Sequence, residues 1–397
     1  MEHNKPILKP NSKDLVLYNT RAHNPTVAAI DLGTNSCRII VAAVNIPSLH
    51  KNYFRRLNAP SPQLKIVDAF ARVIGLGEGL KQTGLLSKAA MDRTIETLAI
   101  CASKAEAHDV VSIRAVATEA CRQARNTDIL IEKAQAQTGI NLEVISPQEE
   151  AQLVLKGCMG VITDATPYGI VIDVGGGSTE VIWLRIGKYK NPNKNTFTVV
   201  DSMSLPYGVV TLRDTYEHNG CDIQIFNSAS HAISQAVNFF LEKNRIIDRF
   251  KQKEVQIIAS SGTVTTLASL LLKIPSYDRK LVDGKEFDSV ELLQVGERLF
   301  SKYTEPHTSN AITAKELEFL LNRIGDSISD KSSKNAEQFI RARIGLLAAG
   351  TSILRAIFCV MKDHPMRIAD RGVREGIIHD LVEALRSEPN FMEYTFP

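Results

Sequence analysis

Two short stretches of the chain carry an aspartate, a glycine turn and a serine in the same order and at the same spacing. Residues 30–41 read IDLGTNSCRIIV and residues 172–183 read IDVGGGSTEVIW. Gly33, and the run Gly175, Gly176 and Gly177, permit backbone conformations with positive φ and place no Cβ in the way of a ligand. Successive backbone N–H groups can then converge on an anion, the nest geometry that holds phosphate. Thr34, Asn35 and Ser36 in the first turn, and Ser178 and Thr179 in the second, add side-chain donors. Arg38 follows the first turn and can pair bidentately with a phosphate. Carboxylates beside phosphate repel it, so Asp31 and Asp173 need another role. A bridging hard cation resolves the conflict: Mg²⁺ (or Mn²⁺) is commonly shared by one or two carboxylates, substrate oxygens and water. The competing reading is that each aspartate caps its own turn; its occurrence at equivalent places in two turns favours the metal. A third glycine turn, Ser260-Ser261-Gly262-Thr263, precedes an expected helix. Its Gly262 amide could bind a further anion, or the segment is a plain connection with Thr263 near the N-cap.

These turns need strands to hold them. Each aspartate is preceded by an apolar run and each turn is followed by β-branched residues, which predicts two strand–turn–strand hairpins. After the first hairpin come an apolar run near Leu64–Phe70 and a helix from Ser87 with Met91, Ile95, Leu98 and Ala102 on one face. A strand at Val110–Val116, a helix ending near Gly139 and a strand at Leu142–Ile145 follow. The second half shows a strand near Phe197–Met203, a helix near Ala229–Leu241 and a strand at Val255–Ala259, then mostly helices. Alternation of this kind predicts an α/β fold in each half, two copies of β-β-β-α-β-α, with a cleft between the two hairpin turns.

A chain of 397 residues, 44% hydrophobic and 23% charged, suits two soluble domains. Its net charge of +3 neither requires nor excludes an anionic partner. The six cysteines form no CxxC pair and mostly lie in apolar segments, so buried free thiols in a reducing compartment are expected. The first 25 residues are polar and lack the apolar core of a signal peptide. The apolar stretch Ile344–Met361 carries Arg355 and reads as a buried helix. The missing signal peptide and the buried-helix reading predict a cytoplasmic protein without a membrane partner; no nucleic-acid partner is expected either. Basic residues are scattered: Lys51, Arg55 and Arg56; Lys188, Lys190 and Lys194; Arg341 and Arg343. Arg367, Arg371 and Arg374 form the group best placed to guide a polyanion.

Taken together the motifs resemble the exopolyphosphatase and guanosine pentaphosphate phosphohydrolase family, within the actin-like, sugar-kinase-like and heat-shock-70-like group. The resemblance rests on AAIDLGTNSCRIIVA and VIDVGGGSTEVIWL, with GLGEGLKQTGLLS at 75–87, RAVATEACRQARN at 114–126 and EVISPQEEAQL at 143–153. SLPYGVVTL at 204–212, SSGTVTTLASL at 260–270 and ADRGVREG at 369–376 continue it over residues 26–386. It implies two actin-like (ribonuclease-H-like) domains, at 26–147 and 148–372. A flexible N-terminal segment (1–25) precedes them, and a C-terminal helix (373–397) packs back on the first domain. It also implies Glu150 as the general base, Asp173 as a metal-linked catalytic carboxylate, and Gly175, Gly176 and Ser178 as phosphate contacts. Glu180 is a second acid in that loop. Arg122, and Arg38 in a similar place, would meet the phosphate chain. Asp31, Asp173 and Glu150 make up the expected metal set, and a homodimer is expected.

The chain departs from the family pattern where Ser146 is followed by Pro147 and Gln148, and where the EEAR of the family becomes Glu149-Glu150-Ala151-Gln152. The C-terminal helical domain of longer members is not expected here. On this reading Glu150 deprotonates water for attack on the terminal phosphorus of inorganic polyphosphate. Guanosine pentaphosphate is the alternative substrate. A non-catalytic nucleotide or polyphosphate sensor is the alternative of another class, and for Glu150 the bland alternative is a helix-dipole partner.

Overall fold

The apolar runs ahead of the two aspartates become central strands, buried on both faces. The computed structural model describes residues 25–45, 63–188, 195–305, 334–361 and 364–387. In its first part β1 (Thr26–Leu32), β2 (Ser36–Asn45) and β3 (Gln63–Val73) form an antiparallel meander. Helices α1 (Leu80–Thr83) and α2 (Lys88–Ala107) lead to β4 (Val110–Ala117), parallel to β1. Then α3 (Glu119–Gln123) and α4 (Thr127–Thr138) lead to β5 (Leu142–Val144), parallel to β4, and α5 (Pro147–Cys158) follows. The Ser87 hydroxyl caps α2 by accepting from the Ala90 N–H, and Gly139 ends α4 in the left-handed region.

The second part repeats the plan. Strands β6 (Tyr168–Val174), β7 (Thr179–Lys188) and β8 (Asn195–Leu205) form a meander. Helices α6 (Val209–His218), α7 (Gln224–Lys243) and α8 (Ile246–Lys251) precede β9 (Val255–Ser260), parallel to β6. There follow α9 (Gly262–Leu271), α10 (Arg279–Val282), β10 (Glu286–Phe287), α11 (Ser289–Thr304) and a long helix, Lys334–Met361. Strand β11 (Met366–Ala369) lies parallel to β9, and the helix Val373–Ser387 closes the described chain. The sheets run β3-β2-β1-β4-β5 and β8-β7-β6-β9-β11, with β10 added to the second. Strands β1 and β6 share one burial pattern, with Asp31 and Asp173 at the same half-buried position near the sheet edge.

The chain divides into two compact units, Met1–Gly157 with Val373–Pro397, and Cys158–Gly372. The division falls at the last residue of α5, whose body is tied to the first unit. Its Glu150 pairs with Arg122, Lys156 pairs with Asp380 at 2.5 Å, and the Leu153 backbone lies against Gly376. The C-terminal helix packs on β1, β2 and β4. The core of the first unit centres on Ile30, Leu32, Ile39 and Leu98. That of the second centres on Ile170, Ile172 and an aromatic group of Tyr216, Phe226, Phe300 and Tyr303.

The stretch Ile340–Met361 has the length and mean hydropathy of a membrane span, and most of it is buried in the second unit's core. Arg355 within it pairs with Glu297 and stacks on Phe300. Cys37, Cys101, Cys121 and Cys158 are buried thiols, while Cys221 and Cys359 are exposed. Lys51, Arg55, Arg56, Lys190, Lys194 and residues 1–24 lie outside the described residues, as does the Lys188 side chain.

Candidate active site

Both turns close in the same way. The Gly33 N–H donates to the Ser36 carbonyl at 3.0 Å, and the Gly175 N–H to the Ser178 carbonyl at 2.9 Å. Neither is a positive-φ turn: among the described glycines with positive φ, none is Gly33, Gly175, Gly176 or Gly177. At Gly175 the constraint is close approach instead, since a Cβ there would sit 3.0 Å from the Ser178 carbonyl oxygen.

The turn carbonyls are held by loops whose role was not legible in the motifs. Asn35 O accepts from the Ile74 and Gly75 N–H groups, and Thr34 O accepts from the Gly77 N–H. Gly75 and Gly79 adopt positive φ in this clasping loop, and a Cβ on Gly77 would strike the Thr34 side chain at 2.3 Å. In the second unit Gly175 O accepts from Val209 N, and Gly176 O from Val210 N and Thr211 N. The Thr179 hydroxyl donates to Tyr207 O at 2.6 Å. In a trans peptide the C=O and N–H point opposite ways. Drawing these carbonyls into the protein therefore turns the N–H groups of Asn35, Ser36, Gly176 and Gly177 away from the clasping loops. The glycines of GLGEG and the Tyr207-Gly208 pair were the available signals.

Although the backbone is duplicated, the charge is not. Asp31 pairs in register with Arg38, whereas Asp173 pairs with Glu180. Residues directly opposite on antiparallel strands project from one face. In the first hairpin the Arg38 Nε donates to the Ser36 hydroxyl at 3.0 Å. Burial raises the Asp31 carboxyl above its ordinary range; Arg38 and Arg374 oppose this, and Glu375 adds to it. In the second hairpin the Ser178 and Ser204 hydroxyls donate to Glu180 Oε1 at 2.8 and 2.9 Å, and Glu180 is 1% exposed.

The expected base sits at the same sheet edge as the first turn. Leu32, Ala117 and Val144 are neighbours in register, so the Gly33 turn, α3 and the start of α5 leave from adjacent strand ends. The Ser146 hydroxyl accepts from the Glu149 N–H, starting α5 although Pro147 replaces the family's residue there. Glu150 is 7% exposed and its Oε2 accepts from Arg122 Nη1 at 2.7 Å. Arg122 Nη1 also donates to Ile145 O, while Nε and Nη2 donate to Glu119 Oε2. Burial works against the Arg122 charge, but Glu150 and Glu119 outweigh it and raise its pKa above the ordinary value. Arg122, expected on the phosphate chain, is thus the partner of the base. Glu149 points elsewhere, to Arg114.

The third turn is capped by Ser261, not Thr263: its hydroxyl accepts from the Val264 N–H at 3.1 Å. Gly262 opens α9 with open space where a Cβ would be, and the end of β9 lies beside Asp173 in register with Ser260. Two of the arginines expected to guide a polyanion are engaged within the second unit. Arg371 donates to both oxygens of Asp283, and Arg367 pairs with Glu286 and the Gly284 carbonyl.

Among the described residues no group of three or more His, Cys, Asp or Glu side chains gathers as a metal cage. The facing Asp173 and Glu180, with nearby hydroxyls, nevertheless make an all-oxygen donor set. That set suits Mg²⁺ or Mn²⁺, which complete their shells with water and substrate oxygens. Asp31 and Glu150, the other expected ligands, each have an arginine as nearby cation.

Comparison with known proteins gives one consistent picture. The family model described as the Ppx/GppA phosphatase family matches residues 58–385. Exopolyphosphatase 2 of Mycobacterium tuberculosis is 29% identical over 282 residues, 69% of this chain and 79% of that protein. The guanosine-5'-triphosphate,3'-diphosphate pyrophosphatase of Vibrio parahaemolyticus is 26% identical over 365 residues, 91% of this chain but 60% of that protein. Among solved structures, an exopolyphosphatase-like protein superposes with a TM-score of 0.65 at 23% identity, covering 92% of this chain and 100% of that one. The Aquifex aeolicus Ppx/GppA enzyme gives 0.58 at 23%, covering 90% and 99%.

Proposed function

The chain belongs to the Ppx/GppA phosphatase family, and we propose that it releases terminal orthophosphate from inorganic polyphosphate. The observation that carries this reading is in the first unit. A glycine turn followed by Arg38 and a buried, arginine-held carboxylate leave the same edge of one sheet. Phosphoryl transfer asks mainly for positioning and charge neutralisation, with little covalent chemistry from the protein. Arg38 and the Gly33 turn amides take up phosphoryl oxygens and stabilise charge that builds on them. Arg122 fixes the Glu150 carboxylate, and pairing with a guanidinium favours the charged form of an acid. Glu150 orients a water and accepts its proton as the water oxygen bonds to the terminal phosphorus. The bond to the bridging oxygen breaks, and the shortened chain leaves with the electron pair. Asp173 and Glu180 would hold Mg²⁺ or Mn²⁺ beside the second turn, where the cation would supply positive charge for phosphate oxygens.

Guanosine pentaphosphate as substrate is the second reading, favoured by the match to the Vibrio pyrophosphatase over 91% of this chain. The test is phosphate release by the purified full chain with Mg²⁺ on long polyphosphate and on guanosine pentaphosphate. A higher kcat/KM on polyphosphate is expected. The reverse order selects the second reading, and binding of either without turnover means a sensor.

A further inference from the structure

We propose that Thr211 is a positioning residue for the second turn, holding the start of α6 against Gly175–Gly177 so that the turn amides face a bound phosphate. This rests on the reading that the turn binds phosphate.

Helix α6 begins without a side-chain cap at its N-cap, which is Gly208. The orphan N–H groups of a helix start need acceptors, and here the turn supplies them. Val209 N donates to Gly175 O at 3.0 Å, Val210 N to Gly176 O at 2.9 Å and Thr211 N to Gly176 O at 3.3 Å. Turn and helix therefore cap one another, with the positive end of the helix dipole aimed at the two turn carbonyls. Each carbonyl so held fixes the opposite direction of the N–H in its own peptide, those of Gly176 and Gly177.

The joint is tight. A Cβ on Gly208 would lie 2.3 Å from the Gly176 carbonyl carbon and oxygen and 2.4 Å from the Gly177 nitrogen. With no Cβ, Gly208 fits there, and its backbone is held by the Thr211 hydroxyl and by the Leu212 N–H, which donates to Gly208 O at 3.0 Å. Oγ1 accepts from Gly208 N at 3.0 Å and is placed to donate to Gly208 O at 3.2 Å. It also lies 3.5 Å from Gly177 O. One turn further on, Thr215 makes a comparable hydroxyl bond, to Thr211 O at 2.6 Å.

The experiment compares the full chain with Thr211→Val, Thr211→Ser and Thr215→Val. Inorganic phosphate affinity is read from the phosphate-dependent rise in Tm, and KM and kcat are measured on polyphosphate with Mg²⁺. Loss of one such hydrogen-bonded clamp should weaken phosphate binding and raise KM by about tenfold in Thr211→Val, with kcat changed much less. Thr211→Ser keeps the hydroxyl and restores parent values. Thr215→Val lowers Tm but leaves phosphate affinity and KM at parent values. If Thr211→Val does not fold, Thr211→Ala replaces it with the same expectation. Parent-like affinity and KM in the hydroxyl-less variant, or an equal rise in Thr215→Val, overturns the assignment. A parent chain that neither binds phosphate nor hydrolyses polyphosphate defeats the underlying phosphate reading instead, and the assignment with it.

Discussion

Replacing Glu150 by glutamine separates the part this residue plays in chemistry from its part in stability. The carboxylate is 7% exposed and shares Arg122 with Glu119. Glutamine has nearly the same volume and can still accept from Arg122 Nη1. Arg122 meanwhile keeps Glu119 through Nε and Nη2, and the Ile145 carbonyl through Nη1. No charge is stranded, so the stability cost should be about 1–2 kcal/mol, below the roughly 3–5 kcal/mol of a broken buried pair. At about 2–4 °C per kcal/mol for a unit of this size, the Tm should fall by no more than about 8 °C. The rate should fall far more, by about 10² to 10⁴ in kcat, the range for a lost general base. Arg122→Met perturbs the same pair from the other side. It removes the cation shared by the buried Glu150 and the partly buried Glu119, so stability drops by about 3–5 kcal/mol along with activity. The assay is kcat and KM on polyphosphate with Mg²⁺, paired with thermal unfolding followed by circular dichroism. A Glu150→Gln chain that folds and retains kcat within about threefold of the parent refutes the base assignment, since loss of a general base typically costs about 10² to 10⁴.

The neighbouring acid is the internal control: Glu149→Gln breaks only the contact to Arg114 and should leave kcat on polyphosphate within about threefold, as its side chain points about 100° away along the helix. Arg38→Ala should lower kcat/KM by about 10- to 100-fold through both KM and kcat, because a charge-assisted phosphate contact acts in ground and transition states. Chelator should abolish turnover, and Asp173→Asn or Glu180→Gln should weaken Mn²⁺ binding, read by electron paramagnetic resonance, by at least about tenfold; unchanged Mn²⁺ affinity in both removes the second hairpin as the metal site. Asp68 titrates below the usual carboxylate range because Lys104, and to a smaller extent His108, hydrogen-bond its charged form, against a partial desolvation. Its contribution is therefore present above its unfolded pKa near 3.9 and is lost as pH falls through the depressed folded value. Asp68→Asn should lower Tm at pH 7, and the gap to the parent should close below about pH 4.

Local patterns were readable where local physics decides. The strand at Val255–Ala259, the Ser87 cap and the Gly139 stop all follow from short-range propensity, burial and capping. Helix α6 left no such mark. It starts on Val209 and Val210, β-branched residues without a Ser, Asp or Asn before them, and its first N–H groups are satisfied by carbonyls of a turn more than thirty residues upstream. The turn glycines were expected to supply positive φ, yet none of them does, and it is Gly208, outside both turns, that leaves room for a neighbouring backbone. Spacing along the chain cannot show which backbone will approach.

The sequence by itself determined the duplicated hairpins, the central strands beneath them and the family, because period, glycine placement and the Asp-to-Ser offset are written locally. Only the tertiary structure decided the charge partners. It brought Arg122 to Glu150 rather than leaving it with Glu119 alone, and it locked Arg371 onto Asp283. It also set Asp31 opposite Arg38 but Asp173 opposite Glu180, so that one hairpin is charge-balanced and the other doubly acidic. A salt bridge depends on separation in space and on the surrounding dielectric. Both are properties of the folded chain that residue order alone does not carry.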